Sequence, residues 1–113
     1  MSEPIEAGLQ FPYAVSISRI HGRGLFAARQ IVPDEQIGVY EGTPTHEDGT
    51  YVLWVEDEQG EPFGIKGRNE LRYVNHSSEP NAIFLGDELI ALREIPDGEE
   101  ITFDYGDEWT AAD

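Results

Sequence analysis

Cysteine does not occur in this chain of 113 residues, which excludes a disulfide framework and cysteine-ligated zinc. Lysine is almost as scarce, Lys66 being the only one among seven Lys and Arg residues. Against those seven stand 23 Asp and Glu, giving a formal net charge of -16. Such a field repels phosphates, which argues against direct nucleic acid binding, and it draws in cationic ligands or basic protein segments. The histidines His21, His46 and His76 have no metal-ligand spacing, so no metal site is expected, and His46 reads as an ordinary surface residue. No apolar run reaches the ~20 residues that a membrane helix needs. The stretch MSEPIEAGLQ lacks the basic start and apolar core of a signal peptide. A soluble, intracellular protein with no membrane contact is expected, in the cytoplasm, or in the nucleus if the source is eukaryotic or viral.

What the sequence does contain is the punctuation of a single β-rich domain. AVSISRI from Ala14 to Ile20 alternates Val15 and Ile17 on one face. Short β-branched and aromatic runs follow at Ile37 to Tyr40 and Tyr51 to Val55. Asp48-Gly49, Gln59-Gly60, Gly86-Asp87 and Asp97-Gly98 offer the left-handed positions that hairpin turns need. The clearest hairpin joins Ala82 to Leu85 with Leu89 to Ile95, and Ile101 to Phe103 reads as a further strand. The spacing of Leu71 and Val74 predicts a short helical turn over Asn69 to Val74.

Three constellations sit on this scaffold. In HGRGLFA, Gly22 and Gly24 bracket Arg23, so a backbone free of side chains could approach a ligand closely. Leu25-Phe26-Ala27 reads as strand rather than helix, which disfavours a dinucleotide fingerprint, and alone such a pair is more often a turn or bulge than a cofactor cradle. In LRYVNHSSEPNA, Asn75 offers an amide with donors and an acceptor beside His76. The same residues would also serve as a turn built on a buried, hydrogen-bonded asparagine. In EEITFDYGDEW, Tyr105 before Gly106 could present its hydroxyl to a cleft and Trp109 could cover a flat ligand, or both could be structural aromatics.

In this order, GRGLFA, the VYEG stretch with Tyr40, LRYVNHSSEPN and EEITFDYGDEW resemble the SET domain family of protein lysine methyltransferases, over nearly the whole chain from Tyr13 to Trp109. The compact size is similar to that of minimal viral and free-standing bacterial members. The resemblance implies a mainly β fold of several small curved sheets, with one or two short helical turns and a C-terminal pseudoknot between the NHSSEPN and FDYG segments. It divides the chain into an N-terminal extension 1–12, a SET domain 13–109 and a tail 110–113. It implies S-adenosyl-L-methionine as methyl donor, held by His21, Gly22, Arg23 and Gly24, by Asn75 and His76, by Tyr51, and by Trp109 over the adenine. Tyr105 matches the catalytic tyrosine, Tyr40 an aromatic of the lysine channel, and Phe103 the position that influences how many methyl groups are added.

The chemistry implied is in-line displacement of a sulfonium methyl by a neutral lysine amine. An unperturbed lysine titrates near ~10.4, and both burial and a nearby positive sulfur favour its neutral form. Tyr105, with an ordinary pKa of ~10, suits an orienting hydroxyl better than a base. The chain departs from many family members in having Ser78 where a cysteine often follows NHS and in lacking the zinc-binding cysteine cluster. The segment between Gly42 and Lys66 is short, which reduces the surface that selects a peptide. The partner implied is a basic protein or peptide, such as a histone or a histone-like, ribosomal or nucleoid protein, and homodimer formation is left open. The alternative reading is a catalytically inactive acidic SET-fold module that binds basic peptides.

Overall fold

The computed structural model describes residues 11–104. In chain order these form β1 (Tyr13–Ile17), β2 (Arg23–Ala27), β3 (Gln36–Val39), β4 (Gly42–Thr45), β5 (Val52–Glu56) and β6 (Pro62–Gly67). A 3-10 turn (Glu70–Tyr73) follows, then β7 (Asn75–His76), β8 (Ala82–Leu85), β9 (Glu88–Ala91) and β10 (Glu100–Phe103). The fold is mainly β and built of several small sheets, ordered β1-β2-β10-β7, β3-β9-β8 and β4-β6-β5. Leu25, Ile31, Leu71, Leu89, Ile95 and Ile101 are fully buried in one hydrophobic core that draws on the sheets and the 3-10 turn. Each such side chain contributes roughly 1.5–3 kcal/mol through removal from water.

The strand that organises the molecule is β10. It runs antiparallel to β2, with Ile101 opposite Leu25, and parallel to β7, with Thr102 opposite Asn75 and Phe103 opposite His76. The chain from 77 to 81 then stays against it: the Ser77 amide donates to the Phe103 carbonyl at 3.1 Å. Asn81, 2% exposed, acts as a substitute strand. Its Oδ1 accepts from the Thr102 amide at 2.8 Å and its Nδ2 donates to the Glu100 carbonyl at 2.8 Å. Buried backbone groups that lack a ladder neighbour need such partners. The NHSSEPN segment thus lies along the C-terminal strand, as the pseudoknot expectation requires.

Several expected boundaries move for identifiable reasons. The first strand stops at Ile17 rather than Ile20, because the Ser18 hydroxyl accepts the Ile20 amide at 2.8 Å and the Ser18 amide donates to the Gly22 carbonyl at 2.8 Å. The second arm of the 82–95 hairpin ends at Ala91, and Ile95 exchanges backbone hydrogen bonds with Ile31 instead. Gly60, Gly86 and Gly98 take the left-handed conformation expected of their turns, but at Asp48-Gly49 that conformation falls on Tyr51, with φ 67°. Strands β4 and β6 were not expected from the sequence. Their residues, GTPT and PFGIKG, carry glycine and proline that argue against strand. Pro44 is tolerated because β4 is an edge strand, where a missing amide costs no ladder bond.

Candidate functional site

The loop between β1 and β2 carries His21, Gly22, Arg23 and Gly24, and its shape is set by groups beneath it. Ser18 Oγ accepts from the Ile20 amide at 2.8 Å and from the His21 amide at 3.4 Å. Asn75, 7% exposed, reaches up from β7. Its Nδ2 lies 3.1 Å from the His21 carbonyl, 3.1 Å from the Arg23 carbonyl, 3.1 Å from Ser18 Oγ and 2.9 Å from Glu100 Oε2. The structure therefore brings His21, Gly22, Arg23, Gly24 and Asn75 into one hydrogen-bonded unit.

The carbonyls of His21, Gly22 and Arg23 are all engaged inward, by Asn75 and by the Ser18 amide. Gly22 has φ +45°, and no atom of the described residues lies within 4 Å of where its Cβ would stand. That is a backbone conformation strained for other residues, open on this side among the described residues. A short loop with its carbonyls turned in and an open face at a glycine suits the close approach of a small polar ligand. Gly24 is different: a Cβ there would stand 2.3 Å from Glu100 Oε2 and 2.9 Å from Ser18 Cβ. The glycine is needed for space.

A second group of side chains is aromatic. The Tyr40 ring, buried at 6% exposure, meets Phe84 edge-on at 5.7 Å, and Phe84 meets Phe103 edge-on at 4.8 Å. The Tyr40 hydroxyl donates to the Tyr51 carbonyl at 2.5 Å, and the Gly67 amide donates to the same carbonyl at 2.8 Å. Gly67 has no side chain where a Cβ would meet the Tyr40 hydroxyl at 2.3 Å. Tyr51 thus joins this group through its backbone. Its ring is 6.0 Å from Tyr73, over which the Arg72 guanidinium stacks at 4.3 Å. His76 sits beside Phe103 across the β7–β10 pairing, with Nδ1 3.7 Å from Asp104 Oδ1.

Strand β10 joins the two groups, meeting the loop and Asn75 through Glu100 and the aromatic run through Phe103. Tyr105 and Trp109 lie outside the described residues. Ser18, Glu100 and Phe84 escaped the sequence reading. Ser18 reads as one more strand position, Glu100 is one of 23 acidic residues, and Phe84 looks like an ordinary hairpin aromatic. The spacing of Asn75 from the loop it holds, 52 to 54 residues, leaves no local pattern. Among the described residues no group of three or more His, Asp or Glu side chains is arranged to hold a metal ion, and no helix is long and apolar enough to cross a membrane.

The family model for the SET domain matches residues 22–106. Among curated proteins, the chain is similar to the histone-lysine N-methyltransferase trithorax of Drosophila virilis, 34% identical over 110 residues that cover 78% of this chain and 3% of that protein. It is similar to the histone-lysine N-methyltransferase MEDEA of Arabidopsis thaliana, 32% identical over 108 residues, 78% of this chain and 16% of that protein. Human histone-lysine N-methyltransferase 2B is 34% identical over 110 residues, 78% of this chain and 4% of that protein. The chain thus matches only a small part of the length of these relatives.

Proposed function

We propose, from the premise that this chain belongs to the SET domain family, that it transfers methyl groups from S-adenosylmethionine to the side-chain amine of a lysine in a basic protein. The observation that carries this reading is the position of β10. One strand touches the loop suited to a small polar ligand and, three residues on, an aromatic run suited to an alkyl amine. Relatives named as histone-lysine N-methyltransferases support the reaction class. The net charge of -16 supports a basic substrate, a histone or a histone-like, ribosomal or nucleoid protein. The domain would run from 13 to 109, between a short extension and a tail.

The loop chemistry fits the cofactor. Residues His21 to Gly24 would hold its amino-acid end through backbone, beside Asn75 and His76, and Trp109 would cover the adenine. When bound, S-adenosylmethionine supplies an electrophilic methyl on a positively charged sulfur. Tyr40, Phe84 and Phe103 would form the walls that receive the aliphatic stem of lysine and exclude water from its amine, and that desolvation disfavours the ammonium form. The Tyr105 hydroxyl would orient the neutral amine, and positioning of this kind supplies much of the rate. Tyr105→Phe removes only that hydroxyl, so binding of S-adenosylhomocysteine should survive while transfer to a lysine peptide drops by at least tenfold, about 1.4 kcal/mol of barrier. Full transfer activity in that variant would overturn the role given to Tyr105.

A further inference from the structure

Glu99 and Glu100 are adjacent carboxylates with different company. Glu99 is paired with Arg93 at 2.6 Å and accepts from Asn81 at 2.9 Å. Among the described residues, no arginine or lysine pairs with Glu100. Its carboxylate instead accepts from Ser18 Oγ, 2.8 Å from each oxygen, and from Asn75 Nδ2 at 2.9 Å. It also fills the space beside Gly24 where a Cβ would otherwise stand. One side chain thus meets the start of the loop, its end, and the asparagine that pins its carbonyls.

The donor directions in this cluster follow from Glu100. An ionised carboxylate only accepts, so the single Ser18 hydroxyl proton is committed to it and the Ser18 lone pairs face the amides of Ile20 and His21. With Ser18 so committed, the acceptors that remain around Asn75 Nδ2 are the His21 and Arg23 carbonyls and Glu100 Oε2, and Ser18 Oγ lies beside them at 3.1 Å. The amide is held with its NH2 toward the loop, which leaves the Oδ1 acceptor on its other side. A neutral amide at position 100 would set its own NH2 against one of these donors and release the lock.

We propose that Glu100 is a positioning residue of the cofactor site, acting through Asn75 and the His21–Gly24 loop on the ammonium-bearing end of an S-adenosyl ligand. The inference rests on the methyltransferase reading and concerns which residue sets its cofactor geometry. Glu100 and Phe103 stand at the two ends of β10, which pairs with β2 and β7.

The test is calorimetric titration of the full chain, Glu100→Gln and Glu99→Gln with two ligands. One is S-adenosylhomocysteine; the other is 5′-methylthioadenosine, which has the same nucleoside thioether but no amino-acid end. Glu100→Gln should weaken S-adenosylhomocysteine about tenfold or more, as expected for loss of a hydrogen bond to a charged group, and change methylthioadenosine by less than about twofold. Glu99→Gln should leave both ligands within about twofold while lowering the urea midpoint. If Glu100→Gln fails to fold, Ser18→Ala removes one hydroxyl from the same cluster and should reproduce the ligand-selective loss. Unchanged S-adenosylhomocysteine affinity, or an equal loss for both ligands, would overturn the positioning role and leave the methyltransferase reading standing. An unaltered protein that binds neither ligand would overturn that reading itself, and this inference with it.

Discussion

Phe103 meets Phe84 with a nearly perpendicular ring, at 87° and 4.8 Å, and offers the proposed channel a hydrocarbon surface. Without a hydroxyl there to hold a water or the amine, a methylated lysine keeps room to turn and accept a further methyl. Product from the unaltered protein should therefore extend past monomethyl-lysine. In Phe103→Tyr the added hydroxyl restricts that turn, and product should shift toward the monomethyl form with the first transfer less affected. Mass spectrometry of a substrate peptide over time checks this, and identical product distributions would refute it. At this scale, the sequence singles out Tyr40 and Phe103 because ordered motifs surround them, and the structure places both rings against Phe84. Phe84 itself was not legible, because an aromatic in an alternating hairpin looks the same whether it faces core or ligand. Asn75 was legible as a polar residue with a purpose, but its aim at the carbonyls of His21 and Arg23 depends on a contact across the fold.

Among the elements, β10 depends on a side chain for part of its pairing. Asn81→Ala removes the partners of the Thr102 amide and the Glu100 carbonyl. A buried group left unsatisfied costs roughly 1–3 kcal/mol, so urea denaturation should show a loss of at least that size. Amide exchange at Thr102 should accelerate in the same variant. A stability loss below about 0.5 kcal/mol, as for an ordinary surface substitution, would contradict the substitute-strand role. The hairpin at 82–91, the 3-10 turn and β10 could be read from alternation and turn residues. Strands β4 and β6 could not, since Gly42, Pro44, Pro62, Gly64 and Gly67 lower strand propensity and pairing within one small sheet overrides it.

For the whole molecule, a formal net charge of -16 makes stability a question of pH and salt. Salt at 0.1 M limits diffuse repulsion to about 10 Å, leaving the short-range partners to decide. The hydrogen bond from Arg29 holds Glu35 below its ordinary value of 4.5. At Glu99 burial is the largest influence and pushes upward, but the hydrogen bonds from Asn81 and Arg93 and the charge of Arg93 together outweigh it, and the result is also below 4.5. The stabilisation from both carboxylates is complete above 4.5 and is lost as the pH falls through their lowered native values. Tyr13 is raised above its ordinary 10.0 by burial and then by the charges of Glu70 and Glu41. Its contribution holds below 10.0 and is lost as the pH rises through the raised native value. The urea midpoint should therefore decline on both flanks of a neutral plateau, and in Glu99→Gln the acid decline should be reduced. The central claim is lysine methylation, and the measurement that meets it most directly is incubation with methyl-labelled S-adenosylmethionine and a mixture of basic proteins, followed by mass spectrometry of the labelled peptides. The account predicts label on lysine side-chain nitrogens. Bound cofactor with no label on any lysine would contradict it and leave an inactive module that binds basic segments.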